Sequence, residues 1–233
     1  MTANEMKYEA TVLYDKIASA GAPGYTDKEW GVLLSKAQIA FVKSIFDPYN
    51  SVQETEKRRK EFSNLISSFD ITTQSTSQTG VHTNGVFFDM PNDLLFTLYE
   101  EAVITSSNPC NNNLTIYVKP VTEDEYNTNI DNPQKKPYCS GGYGLIWRMD
   151  FNTNRHELIT DGSFTVNRYR GRYLRMPQTI IPFTGDGTTT AIQNCELNDL
   201  AHWAIVETAV RIATGITTPQ EYQIKLNEEK ANE

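Results

Sequence analysis

The spacing of apolar residues changes twice along this chain, and that double change constrains the fold more than any single motif. Between residues 4 and 45 apolar side chains recur every three or four positions, from about Ile71 they alternate with polar ones, and from Leu197 the wider spacing returns. A period near 3.6 buries one face of a helix, and a period of two buries one face of a strand. The order helices, strands, helices predicts an α+β protein whose terminal helices pack as a helical bundle with an antiparallel β-rich region inserted between them. The expected divisions are a helical region over 1–70, a β-rich region over 71–195, and C-terminal helices over 196–233 that pack back on the N-terminal ones.

Local signals place the elements. Met6, Ala10, Leu13 and Ile17 line one face of a first helix over 4–20, which the loop "SAGAPGY" ends. Thr26 and Glu29 form a T-x-x-E capping box, followed at helical spacing by Trp30, Leu33, Leu34, Ala37, Phe41 and Ile45, and Asp47-Pro48 stops that helix. A third helix is expected over 51–68, charged at "ETEKRRKEF" and apolar at Phe62, Leu65, Ile66 and Phe69. In the middle, "DLLFTLYEEAVIT" and "LTIYVKPV" read as strands. "GLIWRMDF" and "RHELITD" read as a hairpin about Asn152–Asn154, and "TIIPF" and "TTAIQN" as another about Gly185–Gly187. A final stripe runs through Leu197, Leu200, Ala201, Ala204, Ile205, Thr208, Ala209 and Ile212. Gly215 is the expected cap, and a second capping box, Thr218–Glu221, opens a short charged helix.

Composition removes several function classes. No run of 18 apolar residues exists and the amino terminus lacks the basic start and apolar middle of a secretory signal, so a soluble, cytosolically made chain is expected. Cys110, Cys139 and Cys195 are odd in number and never in a C-x-x-C pair, which argues for reduced thiols. A net charge of -8 disfavours nonspecific wrapping of nucleic acid, which depends on an excess of Lys and Arg. His82, His156 and His202 are far apart, outside any metal-binding spacing, and read as solvated or hydrogen-bonded residues. "DFNTNRHELITD" has Arg155 where a calcium loop needs Gly and Asp161 in place of its Glu, so a hairpin turn is the better reading. "CSGGYG" lacks the Lys-Ser/Thr of a phosphate loop and reads as a loop tip. Glu100-Glu101 and Asp124-Glu125 are adjacent pairs, which on a strand point to opposite faces and share no site. No catalytic residue, metal or cofactor is expected.

One stretch stands out against the acidic background. In "YRGRYLRMPQTIIP" and the residue before it, an extended backbone puts Arg168, Arg170 and Arg172 on one face and Tyr169 and Tyr173 on the other, with Arg175 following. Neighbouring guanidiniums repel unless carboxylates or phosphates lie opposite. Three readings follow: a solvated strand face, an interface whose arginines meet acidic patches such as Glu100, Glu101 or Asp124 of a neighbouring copy, and a nucleic-acid-binding module in which the arginines hold phosphates while Tyr169 and Tyr173 stack on bases.

The motifs P-x-D-L-L at Pro91, D-E-Y-x-x-x-x-x-N-P at Asp124 and Y-x-x-R-Y-L-R-x-P-x-x-I-I at Tyr169, in that order, resemble the tail ring proteins of crAss-like and related short-tailed bacteriophages over most of residues 5–215. The resemblance implies a non-enzymatic virion protein, assembled in the host bacterial cytoplasm. Such proteins are related to head-completion adaptors and tail tubular proteins that stack as rings, usually twelve-fold, beneath the portal. The implied partners are copies of itself, the portal protein, adjoining tail rings, and DNA that passes through the lumen without sequence-specific binding; no membrane is implied. The mostly polar segment after Pro219, with Tyr222 and Ile224 among its few apolar residues, is expected to order against the portal or an adjoining ring.

Overall fold

The first helical period becomes α1, Ala3–Ile17, which buries Ala3, Met6, Ala10 and Tyr14 at spacings of three and four. The capping box then opens α2, Asp27–Ile45: the Glu29 carboxylate accepts from the Thr26 backbone N–H at 2.7 Å, and Thr26 Oγ1 accepts from the Glu29 N–H at 3.4 Å. Trp30, Leu33, Leu34, Ala37 and Val42 form its buried face. These details come from a computed structural model that describes residues 1–17, 24–45, 60–61, 63–72, 79–108, 113–152, 154–183 and 191–217.

The fold is α+β, and the chain divides into two compact units. One unit takes Met1–Leu65 and Met176–Glu233, and the other takes Ile66–Arg175. In the first unit α1 and α2 contact each other, and both contact the long helix of the third period, Asp199–Thr217. Its buried residues are Ala201, His202, Ile205, Val206, Ala209, Val210, Ala213 and Thr214, a stripe turned from the expected one so that Leu200 faces outward. Gly215 does not end this helix, which continues to Thr217 with Gly215 inside it. Ile181 and Gln193 form an isolated bridge where a second hairpin was expected.

The second unit is an eight-stranded sheet. Its strands are β1 Ile66–Ile71, β2 Gly85–Asp89, β3 Leu94–Ser106, β4 Thr115–Pro120, β5 Tyr138–Ser140, β6 Tyr143–Asp150, β7 Arg155–Ile159 and β8 Phe164–Arg175. The order is β1-β8-β3-β4-β6-β7-β2, with β5 added beside β6. The expected antiparallel region is therefore corrected to a mixed sheet, because β4 and β6 pair in parallel from Tyr117↔Leu145 to Pro120↔Arg148. A parallel pair needs a crossover, and residues 121–142 supply it through a short helix, α3, Glu123–Asn129. With α3 counted, Asp199–Thr217 is α4.

The sheet curls on itself, as one core shows. Phe69 of β1, Phe88 of β2 and Tyr169 of β8 meet edge to face, with ring centroids 4.9 and 5.4 Å apart, although β2 lies five strands from β8 in sheet order. Around them pack Ala102, Ile104, Ile116, Val118, Ile146, Leu158 and Val166. Across β6 and β7 a smaller cluster of Val121, Trp147, Met149 and Ile159 is covered by Tyr126 and Ile130, at and just beyond α3.

The helix expected over 51–68 fails at its end. Most of it lies outside the described residues, but Ser63–Leu65 form a 3-10 turn and Ile66–Ile71 pair with β8 from Leu174 to Tyr169. Four apolar residues at helical spacing also fit a strand when the run is short, and pairing along a whole neighbouring strand decides the outcome. Gly171 permits that pairing to close. A Cβ there would lie 2.2 Å from the Tyr99 carbonyl oxygen and 2.8 Å from the Phe69 ring, so no larger residue fits where β8 crosses between β1 and a bulged β3.

Candidate assembly surface

Register alone builds the outer face of the sheet. Ser68 of β1, Arg172 of β8 and Tyr99 of β3 lie in one cross-strand row. Asp70, Arg170, Glu101 and Tyr117 of β4 lie in the next. Directly opposed side chains on one face are neighbours, and diagonal ones are within reach of long side chains. Arg168 accordingly reaches diagonally to Asp70, its Nε donating to Oδ1 at 2.6 Å and its Nη2 to Oδ2, while Arg170 Nε donates to Glu101 Oε1. The Tyr99 hydroxyl donates to the other Glu101 oxygen at 2.5 Å.

This face answers the repulsion among the arginines within one chain. The hydrogen bond from Arg168 holds the Asp70 carboxyl below its ordinary range, and the bond to Glu101 raises the Tyr99 phenol. The two carboxylates serve Arg168 and Arg170, so among the described residues the three guanidiniums of β8 on this face meet two carboxylates. Arg172 is exposed beside Tyr99, which is 51% exposed, and Tyr117, at 57%, stands one row away. Solvent screens the pairs, which stabilise the fold little and leave the face polar, aromatic and positively charged.

The other candidates separate from this surface. Glu100, expected on an acidic patch, is buried on the opposite face of β3 and cannot meet a neighbour, because adjacent strand residues point opposite ways. Tyr169 and Tyr173 are buried in the core of the curled sheet and offer no stacking platform. Arg175 ends β8 and is half-buried, and Asp124 lies in the exposed acidic first turn of α3 with Glu123 and Glu125. Tyr222, Ile224, Cys110 and the capping box at Thr218 lie outside the described residues.

Glu100 belongs to a buried polar network. Its Oε1 accepts from the Tyr169 hydroxyl at 2.5 Å and from Arg148 Nη1 at 3.1 Å, and Arg148 also donates to Thr97 Oγ1 at 2.9 Å. His156 Nδ1 lies 2.9 Å from the Tyr169 hydroxyl, and its Nε2 lies 3.3 Å from Asp150. Burial raises the Glu100 carboxyl, against the opposing pull of Arg148, and burial with the Arg148 charge pushes His156 down to about 3. The imidazole is neutral, so its approaches to Glu100 and Asp150 are not ion pairs, and its hydrogen bond is the one to Tyr169. A cleft between Thr97–Glu100 and Tyr117–Pro120 holds about 140 Å³. That is well under the ~300 Å³ at which small-molecule pockets begin. The network reads as structural.

The remaining histidines are tethers. His82 Nδ1 lies 3.0 Å from Glu157, its Nε2 3.2 Å from Glu123, and its ring packs on Tyr126, tying the turn before β2 to β7 and α3. His202 bonds the Leu197 carbonyl at 2.9 Å at the start of α4. "CSGGYG" is the β5–β6 hairpin, with Gly141 and Gly142 at φ 62° and 87°, the positive values that a two-residue type I′ turn demands. "DFNTNRHELITD" supplies the β6–β7 hairpin with Asn152 at φ 60°. Among the described residues no group of three His, Cys, Asp or Glu could hold a metal ion, and no helix is long and apolar enough to cross a membrane.

Sequence reasoning did not find Asp70, Tyr99 and Tyr117 as members of the arginine face, because only strand pairing brings them there. It also passed over the capping box at Thr122 and Glu125, which opens α3.

Comparison with known proteins gives the chain relatives. The ring protein 4/5 of Bacteroides phage crAss001 is 31% identical over 227 residues, covering 91% of this chain and 92% of that protein. The ring protein 3 of the same phage is 30% identical over 197 residues, covering 79% and 83%. Residues 1–223 match the family described as phage tail ring protein 3/4, and the chain belongs to that family.

Proposed function

We propose that this chain forms a closed ring in the portal–tail connector of a short-tailed phage, seals the portal, and lines the channel through which DNA leaves. In this reading the terminal helices of each copy form one bundle and the β-rich region is inserted in it. Twelve copies make the ring, whose neighbours are the portal protein and adjoining tail rings. The chain acts as scaffold and not as enzyme, and it resides in the virion after assembly in the host cytoplasm.

The observation that carries the reading is the exposed arginine face in a chain of net charge -8. A channel that passes duplex DNA must not grip it, and an acidic protein repels phosphate. The same protein keeps a positive, aromatic sheet face outward, where no carboxylate among the described residues pairs with Arg172 and another surface can bring one. The exposed turn Glu123–Glu125 of a second copy is such a surface, and a contact between unlike faces is the kind that closes into rings. The C-terminal segment with Tyr222 and Ile224 extends the contact to the portal or the next ring.

The alternative, a nucleic-acid-binding module built on residues 168–175, is weakened by two features. Its tyrosines are buried, and Asp70 and Glu101 place negative charge among the arginines where phosphates would have to sit. Electron microscopy of the chain co-expressed with its portal tests the proposal. Rings stacked on the portal support it. A soluble monomer that stays apart from the portal, or a salt-dependent shift of single-stranded DNA, overturns it.

A further inference from the structure

The first unit carries a preformed groove along the outside of α2. Residues 178–182 are clipped to this helix by side chains: the Ile180 N–H donates to Ser35 Oγ at 2.9 Å, and Gln38 Nε2 donates to the Gln178 carbonyl at 3.0 Å. Gly31 lets them approach, since a Cβ there would sit 3.1 Å from Pro182 Cδ and 3.2 Å from the Ile180 carbonyl. Between the segment and the helix lies a cleft of about 400 Å³, lined by Gly31, Val32, Ile39, Ile180 and Pro182 together with Lys28, Lys36 and Asp27, the last of which pairs with Lys7 at 3.1 Å. Val32 is 54% exposed.

Helix α4 presents the complementary pattern. Leu200 is 63% exposed and Trp203 47%, both unusual for large apolar side chains on a helix whose other face is deeply buried. Lys28, Val32 and Lys36 stand at i, i+4 and i+8 on α2, and Asp199, Trp203 and Glu207 stand at the same spacing on α4. Eight residues span ~12 Å of helix, so the two cations and the two carboxylates are equally far apart, each pair flanking one apolar residue. Asp199 also accepts from the Met1 amino group at 2.6 Å, so part of its charge is answered within the chain.

We propose that the α2 groove of one copy receives the Leu200–Trp203–Glu207 face of α4 from the next copy, a head-to-tail contact that propagates around the ring. It rests on the reading of the chain as a self-assembling ring and names the surfaces that join. The donor and the acceptor lie on different helices, so the contact can run head to tail, whereas either face meeting its own copy would oppose like charges. Trp203 is the anchor, since a Trp seated in an apolar pocket with charges at its rim is the usual form of an interface hot spot.

Substitutions on both faces test the contact, assayed for ring formation by native mass spectrometry and for folding by circular dichroism. Trp203→Ala, the pair Lys28→Glu/Lys36→Glu and the pair Asp199→Lys/Glu207→Lys should each lower ring yield by tenfold or more, roughly one hot spot's worth, with folded monomers retained. The quadruple variant, carrying both reversed pairs, should recover rings, because only the sign of each face has changed. A mixture of Val32→Cys chains with Trp203→Cys chains should cross-link between the two types rather than within either. Rings unaffected by both charge reversals, or Val32→Cys chains cross-linking to themselves, overturn the contact while leaving the ring reading intact. A wild-type chain that forms no ring, alone or with its portal, overturns both.

Discussion

The hydroxyl of Tyr169 donates to the carboxylate of Glu100 across 2.5 Å in the interior of the curled sheet, one residue away from the arginine face on each strand. Two layers of charge chemistry are therefore stacked back to back on β3 and β8. The inner layer, Glu100 with Arg148, Tyr169 and His156, is desolvated and costly to disturb. The outer one, Asp70 and Glu101 with Arg168 and Arg170, is screened by water.

The inner layer makes the first prediction. Arg148→Met removes the cation and leaves Glu100 buried beside a neutral histidine, so stability should fall by ~3–5 kcal/mol in urea denaturation. Replacing both partners, Glu100→Leu with Arg148→Met, should restore most of it, since an apolar pair in the same volume leaves no charge behind. Equal losses in the single and double variants would show that packing, not charge, holds these strands.

His156 gives the second. Its pKa, about 3 in the folded chain, lies far below the unfolded value near 6.5, so between these limits the unfolded chain binds the extra proton. Stability is then full above pH 6.5 and falls as pH drops, by ~1.4 kcal/mol per pH unit at most. Denaturation of wild type and His156→Phe from pH 4 to 7 should differ in slope by that amount. Parallel curves would mean that the imidazole protonates in the folded chain.

His82 should act in the opposite sense. Burial lowers its pKa, but hydrogen bonds and charge from Glu157 and Glu123 outweigh burial and raise it. The stabilisation it gives is complete below pH 6.5 and is lost as pH rises through the folded value. His82→Gln should therefore cost more stability at pH 5.5 than at pH 8.5, read as the difference between the two melting temperatures. A cost independent of pH would assign the residue to packing on Tyr126 alone.

How far these sites were legible depends on the range of the contacts that make them. The alternation of Arg168, Arg170 and Arg172 with Tyr169 and Tyr173 is a local pattern, readable as a strand with one wet and one buried face. The carboxylates that settle among the arginines are not local: Asp70 lies 98 residues from Arg168 in sequence, and Glu101 lies 69 from Arg170. Nothing in the spacing of one strand names its neighbours. Glu100 was assigned to the surface for the same reason, although Arg148 inside the apolar run "GLIWRM" signals a buried cation that needs an acid. The parallel pairing of β4 and β6 was missed together with the α3 crossover, whose capping box Thr122–Glu125 has the same T-x-x-E form as the one that correctly opened α2. Only the charged and amide-rich run after it hid the helix.

That capping box is open to a direct test. Thr122 Oγ1 accepts from the Glu125 N–H at 3.3 Å, and the Glu125 carboxylate accepts from the Thr122 N–H at 3.4 Å. Thr122→Ala should cost ~1 kcal/mol, and the loss should fall on hydrogen-exchange protection of α3 and of the Trp147 cluster beneath it. Protection lost evenly over the whole sheet would show that α3 does not open as a unit.

The outer layer makes the last prediction, and it separates the readings of the arginine face. Arg168 and Arg170 are committed to Asp70 and Glu101, so replacing either disturbs a pair within the chain before it disturbs any partner. Arg172 is the discriminating position. Arg172→Glu leaves the paired carboxylates in place and turns the surplus positive charge of the face negative, while an exposed substitution of this kind changes folding stability by no more than ~0.5 kcal/mol. If the face meets an acidic surface of another copy, the reversal costs ~2–5 kcal/mol at a partly desolvated contact, and ring assembly should fail with an unchanged melting temperature. Reversal of Glu123 and Asp124 to Lys in the same chain should then bring assembly back. Assembly equal to wild type would return Arg172 to solvent, and intact rings with lost DNA affinity would give the face to phosphate.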